Sequence, residues 1–420
     1  MINLSFQGAI NSVGASAILV DTGVEKIVLD YGTKPREIPP IFPIPFPGKP
    51  DYIFCSHAHL DHAGALPLFE ARGNTVPIYS IEPTRPLVEL LLLDSVKITR
   101  EEGVPLPFTK DHVHTTIKNF VPIEYRKPLK LIQTKATAFN AGHIIGSMMV
   151  FLDFGNKSLL YTGDFNTVNT RLLPRADEDL PKVDYLITES TYSDREHPDR
   201  KSQEKELVKK VNETIGNGGK AIIAGFAVSR LQEVLVILDK HGIDYPIYMD
   251  GMGKKATTIT NQYSRYLSDP AALNKALEKL KYVHKDKARK KIVERPGVIL
   301  TTSGMLTGGP VINYLKRLHD DPNSSLILTG YQLEGTPGKI LLETGMLITE
   351  GLELQLKMQV KRFDFSGHAG RSGLFEFIEK INPEKVFCIH GDHTEEFVNE
   401  LKQKGLDAIA PVANNRIFSL

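Results

Sequence analysis

Four side chains of the kind that bind metals fall within six positions of this chain: His57, His59, Asp61 and His62, in the stretch SHAHLDHAG. Imidazole nitrogens and carboxylate oxygens are the donors that zinc takes. His57 and His59 are two apart, so at an extended strand end both side chains point the same way and both can reach one ion. Asp61 and His62 lie just past the strand, where the chain turns into a helix, and can reach a second ion. Buried without a cation, four such groups would repel or desolvate one another. A pair of ions about 3.5–4 Å apart also needs a bridging carboxylate and further histidines. The candidates are His143 in NAGHIIGS, Asp164 in LLYTGDF and His390 in VFCIHGDH.

The other histidines read differently. His241, His284 and His319 stand alone and are expected to be structural or superficial. DHVHTT holds a second pair, His112 and His114, with no following Asp-His, and is expected on a helix or loop surface.

The elements that must hold the ligands can be read around them. AILV and KIVLD are two strands joined by a turn, and YIFCSH is a buried strand ending at the histidines. AGALPLFEARG and PTRPLVELLLLDSVKITREEG are read as helices, MMVFLDFG and KSLLYTGDF as a hairpin, and DYLITEST as a core strand. PREIPPIFPIPFPGKP is a proline-rich loop. After Tyr192 strands alternate with helices: SQEKELVKKVNETIGNGG, KAIIAGF, SRLQEVLVILDKHG, PIYMDG, GVILTTSG, PVINYLKRLHD and SLILTG. That alternation implies parallel strands with crossover helices. KRFDF, RSGLFEFIEKI, KVFCIHG and HTEEFVNELKQKG close the chain.

The 420 residues carry a net charge of +1, so a nucleic-acid partner is not announced globally and needs a local basic patch. HKDKARKKIVER is the best local candidate for contacts to a phosphate backbone. The two cysteines, Cys55 and Cys388, form no spaced framework, which points to a reducing, cytoplasmic compartment. Each lies two residues before a candidate ligand histidine and reads as a small buried apolar residue. No secretory signal and no membrane span is read.

Taken together, His57-Ala-His59-Leu-Asp61-His62, Gly142-His143, Asp164 and His390 resemble the dinuclear zinc set of the metallo-β-lactamase superfamily. LITESTY with Glu189, FSGHAG with His368 and CIHGDH with His390 resemble the further motifs of its β-CASP nucleases. YTGDFNT, GFAVSRLQE and TTSGMLTGGP are most similar to the branch that includes the endonuclease subunit of the cleavage and polyadenylation specificity factor, as a short archaeal or prokaryotic relative. The resemblance implies an α/β chain: an αββα lactamase sandwich over residues 1–192 and 361–420, with a β-CASP α/β domain inserted over 193–360. It implies two zinc ions, one on His57, His59 and His143, the other on Asp61, His62 and His390, with Asp164 bridging. Asp30 matches a motif that braces the histidine loop. Asp392 stands where relatives commonly have Glu.

The chemistry follows. Two zinc ions sharing a water lower its pKa toward neutrality and provide hydroxide for in-line attack on phosphorus. Asp61 is placed to orient the nucleophile. His368 is the candidate general acid, with Glu189 holding its imidazole and favouring the charged form. Hydrolysis then leaves a 5′-phosphate and a 3′-hydroxyl. Glycine-rich turns offer N–H groups to phosphates, which makes Ser303 and Gly304 in TTSG and Ser366 and Gly367 in FSGHAG expected substrate contacts, and the resemblance adds Ser229 and Arg230 in FAVSR.

The histidine at 390 goes, in this family, with members that act on RNA. A zinc-dependent endoribonuclease of RNA 3′-end processing or turnover, acting on single-stranded RNA, is therefore expected. Beside it stand a 5′-to-3′ exoribonuclease and a non-catalytic RNA-binding scaffold. The scaffold is disfavoured because all seven ligand positions are filled. No RNA-binding module is read at either end of the sequence, so a processing partner or a second copy is expected to add specificity, with the tail APVANNRIFSL expected to complete a strand or a homodimer contact.

Overall fold

The computed structural model describes residues 2–34, 37, 39–349, 351–412 and 417–420. The chain forms two compact units. The first comprises Met1–Asn169, Pro174–Glu196 and Gly367–Leu420; the second comprises Thr170–Leu173 and His197–Ser366. The junctions expected from sequence, after residues 192 and 360, stand against unit junctions after Glu196 and Ser366.

The first unit is built on two seven-stranded sheets. One runs, in spatial order, Ile417–Ser419, Asn3–Phe6, Ala17–Asp21, Lys26–Tyr31, Tyr52–Phe54, Ile78–Ile81 and Phe120–Ile123. The other runs Ala408–Ile409, Lys385–Ile389, Tyr185–Glu189, Ser158–Tyr161, Met148–Asp153, Lys135–Asn140 and Leu129–Lys130. The two meet through side chains such as Phe6 and Phe387, with ring centroids 5.5 Å apart. Helices cover their outer faces. Tyr31 packs on Phe69 of the helix Pro67–Ala71 at 4.7 Å. Leu374, Phe377 and Ile378 of Arg371–Ile381 join Phe397 and Leu401 of Thr394–Gln403 in the core of the second sheet. This is the expected αββα sandwich.

Local chemistry explains several elements. The two hairpins read from sequence are antiparallel, Ala17–Asp21 with Lys26–Tyr31 and Met148–Asp153 with Ser158–Tyr161. AGALPLFEARG, read as one helix, contains the helix Pro67–Ala71, with the separate short helix Leu60–Ala63 just before it. Pro67 removes a helical N–H and starts a new first turn. In DHVHTT, His112 completes a capping box: its backbone N–H donates to Thr109 Oγ1 at 3.4 Å and its ring accepts from the Thr109 N–H at 3.1 Å. His112 therefore serves a helix end, while His114 Nδ1 lies 3.7 Å from Glu89 Oε1. The cysteines are fully buried, Cys388 within the core under the outer helices. The tail strand Ile417–Ser419 pairs antiparallel with Asn3–Phe6. Residues 413–416 of the tail lie outside the described ones, and so do parts of the proline-rich loop.

The second unit holds a six-stranded parallel sheet in the order Leu280–Tyr282, Ile247–Met249, Gly297–Thr301, Lys220–Ala224, Ser325–Thr329 and Gln359–Phe363. KRFDF is thus the last strand of this sheet. Crossover helices lie on both faces, as the strand–helix alternation predicts. A hairpin, Met346–Thr349 with Leu352–Gln355, is an addition that the sequence pattern did not signal.

Candidate metal centre

Every ligand position expected from sequence lies in the first unit, most of them just past the ends of strands, with Asp61 and His62 on the short helix Leu60–Ala63. Tyr52–Phe54 leads to His57 and His59, Ser158–Tyr161 leads to Asp164, and Lys385–Ile389 leads to His390. Met148–Asp153 and Lys135–Asn140 flank His143. Gly163 makes the convergence possible. It has φ +53°, and a Cβ there would stand 2.8 Å from Ser56 Cβ.

The donors form two groups around one carboxylate. His57, His59 and His143 with Asp164 place one donor atom each within 4.8 Å of one another, and so do Asp61, His62 and His390 with Asp164. Asp164 divides its oxygens between them. Oδ2 lies 3.5 Å from His57 Nε2 and 3.7 Å from His143 Nε2. Oδ1 lies 3.2 Å from His62 Nε2 and 3.4 Å from His390 Nδ1. Asp61 Oδ2 is 3.5 Å from His390 Nε2.

The opposite ring nitrogens are engaged by the protein. His57 Nδ1 meets Ser56 Oγ at 3.0 Å, His62 Nδ1 meets Asp30 Oδ2 at 2.8 Å, and His143 Nδ1 meets the Gly367 carbonyl at 2.8 Å. For His390 the protein partner is on the nitrogen that also faces Asp164: Thr191 Oγ1 lies 3.3 Å from Nδ1. Such partners fix the tautomer and aim the remaining nitrogen inward. Asp30 is the hub. It accepts from the Ser56 N–H and hydroxyl, both at 2.6 Å, and from the Tyr161 hydroxyl at 2.7 Å. Asp30 and His390 both adopt left-handed backbone, with φ +58° and +53°, a conformation tolerated where surrounding structure over-determines it. Ser56, Tyr161 and Thr191 were not anticipated as partners; nothing in local spacing marks them.

A metal fits this set. His57 Nε2, His390 Nε2 and Asp164 Oδ1 are buried and make no hydrogen bond, whereas buried polar atoms are ordinarily satisfied. Burial, aided by the neighbouring histidines, holds His57 and His143 well below the usual imidazole range and takes His59 down to about 4. Neutral imidazoles are what a cation requires. Burial opposes charge on His62, yet the carboxylates of Asp164 and Asp30 push it well above that range. Burial likewise opposes charge on Asp164 and Asp61, and the histidines beside them, His62 and His390 foremost, hold both well below the carboxylate range.

Beside the two groups, His368 Nδ1 lies 3.0 Å from both oxygens of Glu189. Glu189 also accepts from the Phe165 N–H at 2.8 Å. Burial lowers the imidazole pKa, but Glu189 and Asp164 outweigh it and raise the value to about 9. Tyr192 packs on the His368 ring at 5.7 Å.

The expected phosphate contacts are spread over both units. Gly367 offers its carbonyl to His143, as above. In the second unit Arg230 Nη1 donates to Glu233 at 2.6 Å, and Ser229 is buried at the start of the helix Arg230–Lys240 with φ +64°. Ser303 Oγ lies 3.1 Å from Thr307 Oγ1. The Ser366 N–H donates to Asp364 at 2.9 Å. The run HKDKARKKIVER contains an exposed helix, Asp286–Ile292, whose Arg289 turns inward to Asp250.

No helix among the described residues is long and apolar enough to cross a membrane. Residues 11–214 match the metallo-beta-lactamase superfamily, 231–341 the Beta-Casp domain and 353–411 the Zn-dependent metallo-hydrolase RNA specificity domain. The chain is 38% identical to the "Probable RNase MJ4" of Methanocaldococcus jannaschii, over 99% of this chain and 100% of that protein. It is 35% identical to the "RNase aCSPSF2" of Saccharolobus solfataricus, over 97% and 83%, and 36% identical to the "Transcription termination factor FttA" of M. jannaschii, over 94% and 67%. A protein of unknown function from Enterococcus faecalis shares the fold, with a TM-score of 0.59 at 15% identity over the whole of both chains. Three matched domains in the order lactamase, β-CASP, RNA-specificity, and relatives aligned over nearly the full chain, place this protein in the metallo-β-lactamase superfamily, in its β-CASP branch of metal-dependent hydrolases.

Proposed function

We propose that this chain is a zinc-dependent ribonuclease that hydrolyses single-stranded RNA internally, leaving a 5′-phosphate and a 3′-hydroxyl. The observation that carries the reading is Asp164 shared between two donor groups, with His368 and Glu189 beside it. The relatives named as RNases and as transcription termination factors supply the substrate class.

His57, His59 and His143 would hold one zinc ion, Asp61, His62 and His390 the other, and Asp164 would bridge them. Bound there, two divalent cations supply Lewis acidity for a phosphodiester and bring a water's pKa toward neutrality. The chain's own groups do the rest. Asp61, with 24% of its side chain exposed, accepts a hydrogen bond from the attacking water and aims it. His368 carries a proton on the ring nitrogen that Glu189 does not engage and delivers it to the leaving 3′-oxygen. Glu189 holds that ring against Nδ1 and favours the imidazolium. Asp30 and Ser56 keep the histidine loop in place.

The test is cleavage of an internally labelled single-stranded RNA with a blocked 5′ end, with and without a zinc chelator, beside His59→Ala and Asp164→Ala. Chelator-sensitive internal fragments that the variants do not produce are the expected result. Cleavage only after the 5′ end is freed replaces the internal mode with a 5′-to-3′ exonuclease. No cleavage of either substrate by the zinc-loaded protein overturns the reading in favour of a binding role.

A further inference from the structure

The second unit has a ligand-binding geometry of its own. From the strand Lys220–Ala224 the chain passes through the helix Arg230–Lys240 to Ile247–Met249. From the neighbouring strand Gly297–Thr301 it passes through Pro310–Leu318 to Ser325–Thr329, on the other side of Lys220–Ala224. The two helices lie on opposite faces of the sheet. Leu231, Val234 and Leu238 pack with Ile223 and Leu300, whereas Val311, Tyr314 and Leu315 pack with Ile222 and Ile299. Connections that leave adjacent parallel strands in opposite directions open a crevice beyond their carboxyl ends, where open α/β sheets bind ligands.

Three loops meet at that crevice and are pinned to one another. The Gly225 N–H donates to the Thr301 carbonyl at 3.1 Å, the Thr329 hydroxyl to the Ala224 carbonyl at 2.9 Å, and Gln332 Nε2 to the Gly304 carbonyl at 3.0 Å. Gly304 lets two of them touch, since a Cβ there would stand 3.0 Å from the Gly225 carbonyl carbon and 3.1 Å from the Phe226 nitrogen.

Phe226 stands on this fixed backbone. Its ring leans over Gly330, with Cε2 3.6 Å from where a Cβ of that residue would lie, and the residue is 37% exposed. Among the described residues it is the one phenylalanine classed as exposed, while residues on either side of it, such as Ala224 and Val228, are buried. A single exposed apolar side chain means little by itself. Here the ring follows directly on Ala224 and Gly225, which bond to the ends of the two neighbouring strands at Thr329 and Thr301, at the carboxyl edge where the topology predicts a ligand. Ser229, Ser303 and Gly304 are in the same loops, with hydroxyl and backbone groups suited to phosphates.

We infer that Phe226 is a stacking platform for one unpaired base of the RNA strand, in the crevice beyond Lys220–Ala224 and Gly297–Thr301. The inference rests on the ribonuclease reading for its ligand class. A base offers a π-face whatever its identity, so such a platform binds single strands with little sequence preference. Duplex RNA, whose bases are stacked on one another, is a poor occupant.

The test uses the full-length, zinc-supplemented chain carrying Asp164→Asn in every arm, so that RNA survives. Fluorescence anisotropy measures binding of a short labelled oligoadenylate and of an abasic ribose-phosphate strand of equal length. The expected result is that Phe226→Ala weakens oligoadenylate binding about fivefold or more, the size of one base–aromatic stack, and leaves the abasic strand unaffected, while Phe226→Trp restores the difference. Equal loss on both strands, or no loss on either, overturns the inference. Cleavage by the chain without Asp164→Asn is read separately. Cutting of RNA with no base-dependent effect of Phe226→Ala sinks the platform alone. A base-dependent effect without cutting sinks the nuclease reading alone.

Discussion

His62 spans two carboxylates: Nδ1 lies 2.8 Å from Asp30 Oδ2, and Nε2 lies 3.2 Å from Asp164 Oδ1. One side of the ring is anchored in the wall of the site and the other faces its centre. Asp30 thus aims the histidine loop without facing the centre itself.

Replacing that anchor should weaken metal binding without removing a ligand. Asp30→Asn is expected to lower zinc affinity about 10- to 100-fold, the usual effect of losing a hydrogen-bond partner behind a ligand histidine. Competition against a chromogenic chelator reads it. Unchanged affinity would show that Ser56 and Tyr161 hold the loop without Asp30.

Asp164 serves both donor groups, so its loss should affect both ions. Wild type is expected to carry two zinc ions per chain by elemental analysis. Asp164→Ala is expected to retain fewer and to lose two orders of magnitude or more in cleavage rate, as removal of transition-state charge stabilisation does. His143→Ala, which touches one group, should reduce the zinc content toward one. Equal metal content in all three proteins would contradict a shared carboxylate.

His368 should matter to the leaving group and not to the metal. His368→Ala is expected to slow RNA cleavage about 10²- to 10⁴-fold at unchanged zinc content. Bis(4-nitrophenyl) phosphate, whose leaving group needs no proton, should be hydrolysed by the variant at nearly the wild-type rate. Equal losses on both substrates would make His368 structural.

Lys220 gives a stability prediction away from the site. It is buried at the start of a central strand of the second unit, and burial lowers its ammonium pKa to about 8; the Tyr248 ring under it, 5.7 Å away, compensates in part. Below about pH 8 the lysine is charged in both states and folding bears the full burial penalty. Between about 8 and the ordinary value near 10.5 the unfolded chain binds more protons, so stability rises with pH. Lys220→Met should therefore stabilise the protein at pH 7 by about 1–2 kcal/mol after allowance for solvent screening, with a smaller gain at pH 10. Thermal midpoints at the two pH values measure this, and equal gains would contradict it.

Much of the site was legible because ligand chemistry is local. Four donors in six residues announce a cation, and strand-end positions for Asp164 and His390 follow from apolar runs that stop at them. The strand–helix alternation after Tyr192 likewise announces a parallel sheet. What local spacing could not supply was pairing across distance. Thr191 beside His390, Tyr161 on Asp30 and the Gly367 carbonyl on His143 depend on which strands end side by side. KRFDF shows the same limit: its pattern marks a strand, but only its pairing with Ser325–Thr329 assigns it to the second unit's sheet. Phe226 reads in sequence as part of the strand KAIIAGF, whereas the strand ends at Ala224 and the Phe226 side chain is exposed.

The central claim is that water, aimed at phosphorus by this site, breaks an internal RNA bond. The most direct measurement is cleavage of a 5′-blocked RNA in water enriched in oxygen-18, with mass spectrometry of the fragments. The account predicts one heavy oxygen in the 5′-phosphate of each downstream fragment and a 3′-hydroxyl on its upstream neighbour. Fragments ending in a 2′,3′-cyclic phosphate, with no label at the new 5′ end, would contradict it, because the nucleophile would then be the RNA's own hydroxyl.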